Sequence, residues 1–150
     1  MRKEKRMKLP QPISRKPVPA GTYKVRIISY EHGHSSKKGT PQITWKAEIV
    51  AGDFEGQNLW DRTIMVEASG WRVSNLLGAC SLDFPKDVDT DSQLFTSMCR
   101  ESIGRKTYWL VEQKTLDTGK VVNEIKDYIA DEDQEVITVV AESDSPDWME

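Results

Sequence analysis

The 150-residue sequence has few cysteines and histidines, and it has no long apolar run. Cys80 and Cys99 are its only cysteines, so a dense disulfide framework is excluded. His32 and His34 are its only histidines, and no CxxC pair accompanies them, which argues against a zinc site. No apolar stretch approaches the roughly 20 residues that span a bilayer. We therefore expect a protein that uses no metal or cofactor and that enters no membrane.

Basic residues are absent from the end of the chain and concentrated at its beginning. Residues 127–150 contain 9 Asp/Glu and no Lys or Arg, whereas residues 1–40 contain 11 Lys/Arg and 2 acids. Charge blocks at the ends of a chain are typical of interaction segments, since a basic block suits polyanions and an acidic block suits basic partners. Prolines, rather than the apolar stretch of a signal peptide, follow the basic start. This pattern predicts a cytoplasmic protein that contacts nucleic acid at one end and protein at the other.

The distribution of proline and charge divides the chain into three parts. Four prolines within residues 10–19 exclude a continuous helix or central strand, so we expect a flexible basic arm over residues 1–20. Residues 21–130 have the composition of one folded domain. Residues 131–150 are predicted to form a disordered acidic tail.

Five segments show the two-residue alternation of half-buried strands, at residues 22–30, 42–51, 58–66, 105–114 and 121–129. Two helices are predicted between the third and fourth strands, one from Ser69 to about Gly78 and one that begins after Asp91 or Ser92 and ends by Gly104. This order predicts a mainly β fold: a five-stranded OB-fold-like Greek-key barrel with a helical insertion between strands 3 and 4. Other small β-barrels have the same number of strands.

Short motifs in the predicted strands and turns resemble those of a known family. They are GTYKV at residues 21–25, ITWK at 43–46, GDFEG at 52–56 and LW at 59–60. Together they resemble bacteriophage single-stranded-DNA-binding proteins of the OB-fold type, over residues 20–130. The resemblance implies a non-enzymatic protein that binds and protects single-stranded DNA during phage DNA replication or recombination, in the cytoplasm of the host cell.

The end of the chain extends this resemblance. Many proteins of this type end in an acidic tail that recruits other replication or recombination proteins, and Asp144, Asp147 and Trp148 are the corresponding candidates here. The commonest bacterial tail ends in a Pro-Phe pair, whereas the aromatic residue of this chain lies two positions before its end. This difference leaves the identity of the recruited partner open.

Single-strand binding without sequence preference requires cations for phosphates and exposed rings for bases, and each stacked base contributes about 1–3 kcal/mol. The outward phase of the predicted strands and the loop after the first strand supply both. Trp45 and Trp71 are expected in the core, and Trp60 is equally compatible with the core and with the surface. The alternative for the lysines and arginines is that they only form a solvent-exposed polar face. The predicted nucleic-acid-binding residues are Lys24, Arg26, Tyr30, Lys37, Lys38, Lys46, Trp60, Arg62, Arg105 and Tyr108.

Three other functions stay open at this point. The first is a protein–protein adaptor on a small β-barrel that acts through its acidic tail without binding nucleic acid. The second is an RNA-binding protein, since nothing in the sequence reports on the 2′-hydroxyl. The third is a magnesium nuclease built on Asp83, Asp87, Asp89 and Asp91. The oligomeric state is open as well, with a homodimer among the options.

Overall fold

The computed structural model describes residues 16–34 and 39–140. Its strands and helices follow the alternation and the helical periods of the sequence, with boundaries within a few residues of those predicted. In chain order the elements are β1 (Gly21–His34), β2 (Pro41–Ile49), β3 (Asn58–Ile64), a 3-10 turn (Glu67–Ser69), α1 (Gly70–Ala79), β4 (Leu82–Asp83), α2 (Gln93–Ser102), β5 (Lys106–Thr115), β6 (Val121–Ala130) and β7 (Ile137–Thr138).

The five long strands form one antiparallel sheet in the order β3-β2-β1-β5-β6. This confirms the mainly β fold and the helical insertion between the third and fourth long strands. The predicted OB-fold-like barrel is not closed. The two outer strands, β3 and β6, approach each other but share no strand pairing in the described part of the chain. The sheet is therefore curled and open, with a seam between β3 and β6.

Polar side chains join the two strands across this seam. Arg72 of α1 donates through Nη2 to Asp61 Oδ1 of β3 (2.8 Å) and to the carbonyl oxygen of Ile125 in β6 (3.0 Å). Its Nη2 also lies 2.9 Å from the Tyr128 hydroxyl, which donates to the second oxygen of Asp61. We call Arg72, Asp61 and Tyr128 the seam clamp. Because it replaces backbone pairing, it explains why the sheet stays open without separating.

Asp61 is only 3% exposed, so keeping its carboxylate charged inside the clamp costs desolvation free energy. Burial raises the pKa of Asp61, while the hydrogen bond from Tyr128 and the charge of Arg72 oppose that rise. A buried carboxylate is tolerated only when its oxygens are hydrogen-bonded or paired, and both are engaged here.

The inner face of the sheet and the two helices enclose one hydrophobic core. Trp45, predicted to be a core residue, is fully buried in β2, and Trp109 is fully buried in β5. The helices cover them with apolar residues at helical spacing, including Leu76, Leu77 and Met98. The predicted cap of α2 is confirmed, because Ser92 Oγ accepts a hydrogen bond from the Phe95 amide at 3.1 Å.

Residues on both sides of the predicted 21–130 domain also contact the sheet. Val18 is 1% exposed, and its amide donates to Asn123 Oδ1 at 2.9 Å. Asp131 is buried beside Lys24, and β7 pairs in parallel with β4. The rest of the predicted arm and tail, residues 1–15 and 141–150, lies outside the described residues. Within the described ranges, no helix is long and apolar enough to cross a membrane.

We predict that Arg72→Met destabilises the protein by about 3 kcal/mol, because it leaves the buried Asp61 carboxylate without its cation. Urea unfolding of the variant and the parent protein, followed by circular dichroism, measures this difference. The matched control is Lys126→Met, which removes an exposed ion pair with Glu124 (3.8 Å). A surface pair contributes about 0–1 kcal/mol, so equal losses in the two variants would contradict a structural role for the clamp.

Candidate nucleic-acid interface

The outer face of the sheet carries most of the predicted binding residues. Side chains that lie opposite each other on neighbouring strands project from the same face. Lys46 of β2 lies opposite Trp60 of β3, and Lys24 of β1 lies opposite Tyr108 of β5. The structure therefore brings together six of the predicted residues on one face: Lys24, Arg26, Lys46, Trp60, Arg62 and Tyr108.

Trp60 is the most prominent side chain of this face. It is 57% exposed, so the structure places it on the surface rather than in the core. The Lys46 ammonium lies 5.8 Å from the centre of its ring, and Arg62 follows two residues later on the same face. Neither cation forms an ion pair within the described ranges. An exposed indole with one cation opposite it on the neighbouring strand and another two residues along its own strand has the composition of a stacking platform with phosphate contacts.

Acidic neighbours neutralise two of the other cations. Lys24 lies 3.5 Å from a carboxylate oxygen of Asp131, and Arg26 lies 3.4 Å from one of Glu48. The Lys24 ammonium also lies 5.8 Å from the centre of the Tyr108 ring. The charges of Lys24 and Arg26 are therefore paired locally, whereas Lys46 and Arg62 beside Trp60 have no carboxylate partner within the described residues.

Tyr30 does not share the face of Lys24 and Arg26, which corrects the prediction. The pairing of β1 with β2 shifts between Ile27 and Ser29, because Ile28 forms a β-bulge. A bulge adds one residue to a strand and reverses which side chains face inward. Tyr30 consequently lies opposite the buried Trp45 and packs against the core, edge-on to His32 at 5.6 Å between ring centres.

Arg105 is also misplaced by the prediction. Its Nε donates to the carbonyl oxygen of Cys80 at 3.0 Å, and its Nη2 donates to the carbonyl oxygens of Ser81 and Glu135. Arg105 thus ties the end of α1 to the segment after β6. The adjacent Lys106 begins β5 on the exposed outer face, opposite Arg26. The two-residue alternation that contains Tyr108 includes Lys106 and excludes Arg105.

A groove of about 720 Å³ lies outside the seam, between β2–β3 and the β5–β6 hairpin. The seam clamp forms part of its floor through Asp61 and Arg72. Lys114 is the basic residue of its hairpin side, and it was not predicted although it shares the even-numbered phase of Lys106 and Tyr108. The remaining lining residues include Thr44, Trp60, Arg62, Leu116, Val122 and Asn123. The groove has a cation on each of its walls, Arg62 and Lys114, and the Glu124 carboxylate also lines its hairpin side.

The other predicted site residues cannot be placed on this surface. Lys37, Lys38, Asp144, Asp147 and Trp148 lie outside the described residues.

Potential metal ligands do not cluster in the described part of the chain. Among residues 16–34 and 39–140, no group of three or more His, Cys, Asp or Glu is arranged to hold a metal ion. His32 instead contacts the rings of Tyr30 and Phe95. The lysine, arginine and aromatic side chains of this face can form stacking contacts, ion pairs and hydrogen bonds.

The fold and the site define a mainly β domain with an open five-stranded sheet and a basic, aromatic outer face. Comparison of the sequence with protein families assigns the chain more specifically. Residues 10–136 match the family described as "Protein of unknown function (DUF669)", and the chain belongs to that family. No curated protein matches the chain.

We predict that neither cysteine reacts with a thiol reagent in the folded protein. Cys80 and Cys99 are buried, and burial raises the pKa of both thiols to about 12, so the reactive thiolate is scarce at pH 8. Absorbance after addition of dithionitrobenzoate should show slow labelling limited by unfolding, and complete labelling in guanidinium chloride. Immediate labelling of either thiol in native buffer would contradict this placement.

Proposed function

We propose that this protein binds single-stranded DNA through the outer face of its sheet. The observation that carries the proposal is the exposed Trp60 ring, with Lys46 opposite it on β2 and Arg62 two residues further along β3 on the same face. A ring that is exposed in the folded protein adds nothing to the core, whereas it stacks on any base without reading its identity. The lysine and arginine beside it neutralise phosphates on either side of the stacked base.

The order of the strands supports this proposal. The strand order β3-β2-β1-β5-β6, with helices inserted along the chain after β3, is that of an OB-fold in which the pairing of β3 with β6 is missing. OB-folds are partly open five-stranded barrels that bind oligonucleotides on the face of their second and third strands and at the loops beside it. In this chain that face carries Lys46, Trp60 and Arg62.

The groove outside the seam supplies a path for the strand. Arg62 and Lys114 stand on its opposite walls, and Trp60 lies on the β3 side. The total charge of the chain is −3, so attraction of a polyanion has to come from this local arrangement. Phosphate contacts of this kind carry no sequence information, and we therefore infer binding that is largely independent of sequence.

The biological role follows from the resemblance of residues 20–130 to phage single-strand-binding proteins. In this proposal the protein is not an enzyme but coats and protects single strands during phage DNA replication or recombination. Residues 1–20 add phosphate contacts, and the acidic end recruits partner proteins. DNA is favoured over RNA by the resemblance alone, so both polymers belong in the experiment.

We predict that Trp60→Ala weakens binding of a fluorescent 30-nucleotide single strand about tenfold, because one stacked base contributes about 1–3 kcal/mol. Fluorescence anisotropy at low salt measures the affinity for DNA, for RNA of the same sequence and for matched duplex DNA. The control is Trp71→Ala, since Trp71 is similarly exposed but lies on α1, outside the groove at the seam.

Equal losses for the two tryptophan variants would contradict a stacking role for Trp60. Duplex that competes as well as single strand would contradict the preference for single strands. No binding by the parent protein at low salt would overturn the proposal and favour the adaptor function.

We also predict that Arg62→Gln and Lys114→Gln each reduce the salt dependence of binding. Each removed phosphate contact lowers the log–log slope of affinity against salt by about 0.7 on a single strand. Anisotropy titrations between roughly 50 and 300 mM salt measure the slope. Lys86→Gln, a change on the other side of α1, should leave it unchanged, and a slope lowered equally by all three variants would contradict a local binding site.

A further inference from the structure

A second groove, of about 920 Å³, lies on the side of α1 away from the seam. Its floor is apolar and consists of buried core residues, among them Leu77, Phe95 and Met98. Trp71 on its rim is 53% exposed, although the sequence pattern predicted it in the core, and the nearby Val66 is 47% exposed. An apolar groove with an exposed tryptophan at its edge is typical of a surface that binds a peptide segment.

The charged residues of this groove are mainly acidic. Glu67, Asp87 and Asp89 line it, against the single cation Lys86. Asp87 has a backbone φ of 59°, in the left-handed region that Asp and Asn tolerate better than other side chains. These carboxylates repel a nucleic acid and attract a segment rich in lysine and arginine. We call this surface the acid-rimmed groove.

We propose that the N-terminal segment of this same chain, residues 1–15, docks in the acid-rimmed groove. This segment contains six Lys/Arg and one acid, so its charge complements the rim. It also contains apolar residues between the cations, Met7, Leu9 and Ile13, which match the apolar floor. The groove is a different surface from the proposed nucleic-acid interface. Residues 1–15 are common to both proposals, because docking in this groove and contacting phosphates are alternative states of the same segment.

The segment is long enough to reach the groove. Fifteen extended residues span up to about 50 Å, whereas a compact domain of this size is about 36 Å across. Attachment to the same chain gives the segment an effective concentration in the millimolar range, so weak charged and apolar contacts suffice for occupancy. Docking within one molecule is therefore favoured over docking between two copies.

The C-terminal segment is the nearest competitor for this groove. Because β7 runs parallel to β4, the described part of the chain ends at Val140 on the side of Phe84, which lines the groove. Residues 141–150 contain four acids and no Lys or Arg, however, and they would face the carboxylates of the rim. Like charges at close range oppose this alternative.

Disulfide trapping in the full-length protein tests the proposal. One variant combines Met7→Cys with Ser74→Cys, an exposed position that lines the groove; the control combines Met7→Cys with Thr118→Cys, in the turn of the β5–β6 hairpin. Mild oxidation of dilute protein should close an intramolecular disulfide in the first variant at least fivefold faster than in the control. Mass spectrometry and non-reducing gels measure the rate, and the buried Cys80 and Cys99 do not compete.

Neutral rim variants test whether charge drives docking. Glu67→Gln, Asp87→Asn and Asp89→Asn together should slow trapping severalfold, while Asp117→Asn in the hairpin turn should not. Equal trapping rates for the Ser74 and Thr118 pairs would overturn the proposal. It would also be overturned if neutralising the three rim carboxylates left the trapping rate of the Ser74 pair unchanged. Predominantly intermolecular disulfides would show that the groove binds a second copy of the chain. Faster trapping of Ser74→Cys with Ser145→Cys than with Met7→Cys would show that the groove binds the C-terminal segment. Either result would overturn the proposal.

Discussion

The interaction between Arg72, Asp61 and Tyr128 is the constraint on which the rest of the structure depends. An open sheet with a curled shape exposes two edges that would otherwise separate or pair with other chains. Here one guanidinium contacts β3 through Asp61 and β6 through the Ile125 carbonyl oxygen and the Tyr128 hydroxyl. Because Arg72 belongs to α1, the same contacts also fix the helix over the seam.

The position of α1 separates two surfaces of opposite character. On the side of the seam, the groove is bordered by Arg62, Lys114 and the exposed Trp60. On the other side, the groove has an apolar floor and a rim dominated by carboxylates. The domain therefore presents one groove with cations on its walls and another with carboxylates on its rim, and the total charge of −3 does not show this contrast.

The segment after β6 is connected to the basic face by specific contacts rather than by general attraction. Gln134 Oε1 accepts a hydrogen bond from the Lys106 backbone amide (2.8 Å), and Gln134 Nε2 donates one to the Lys106 carbonyl oxygen (2.6 Å). The side chain thus pairs with Lys106 as the backbone of a neighbouring strand would. Asp131 lies against Lys24 in the same region. Asp131 thus neutralises one cation of the face, whereas Lys46 and Arg62 beside Trp60 have no carboxylate partner in the described part of the chain.

The sequence alone determined the type and order of the main elements, because alternation, helical spacing and capping are local properties of the chain. It located five strands and two helices within a few residues, limited the cap of α2 to Asp91 or Ser92, and placed six of the predicted binding residues on one face. Tertiary structure decided what depends on distant partners. The bulge at Ile28, which turns Tyr30 inward, is defined by the register with β2. The carbonyl partners of Arg105 lie more than twenty residues away in sequence, and the open seam depends on Arg72 meeting both outer strands. A two-residue period does not show where a strand contains an extra residue. The sequence around a basic side chain also looks the same whether that side chain binds a carbonyl oxygen or faces solvent.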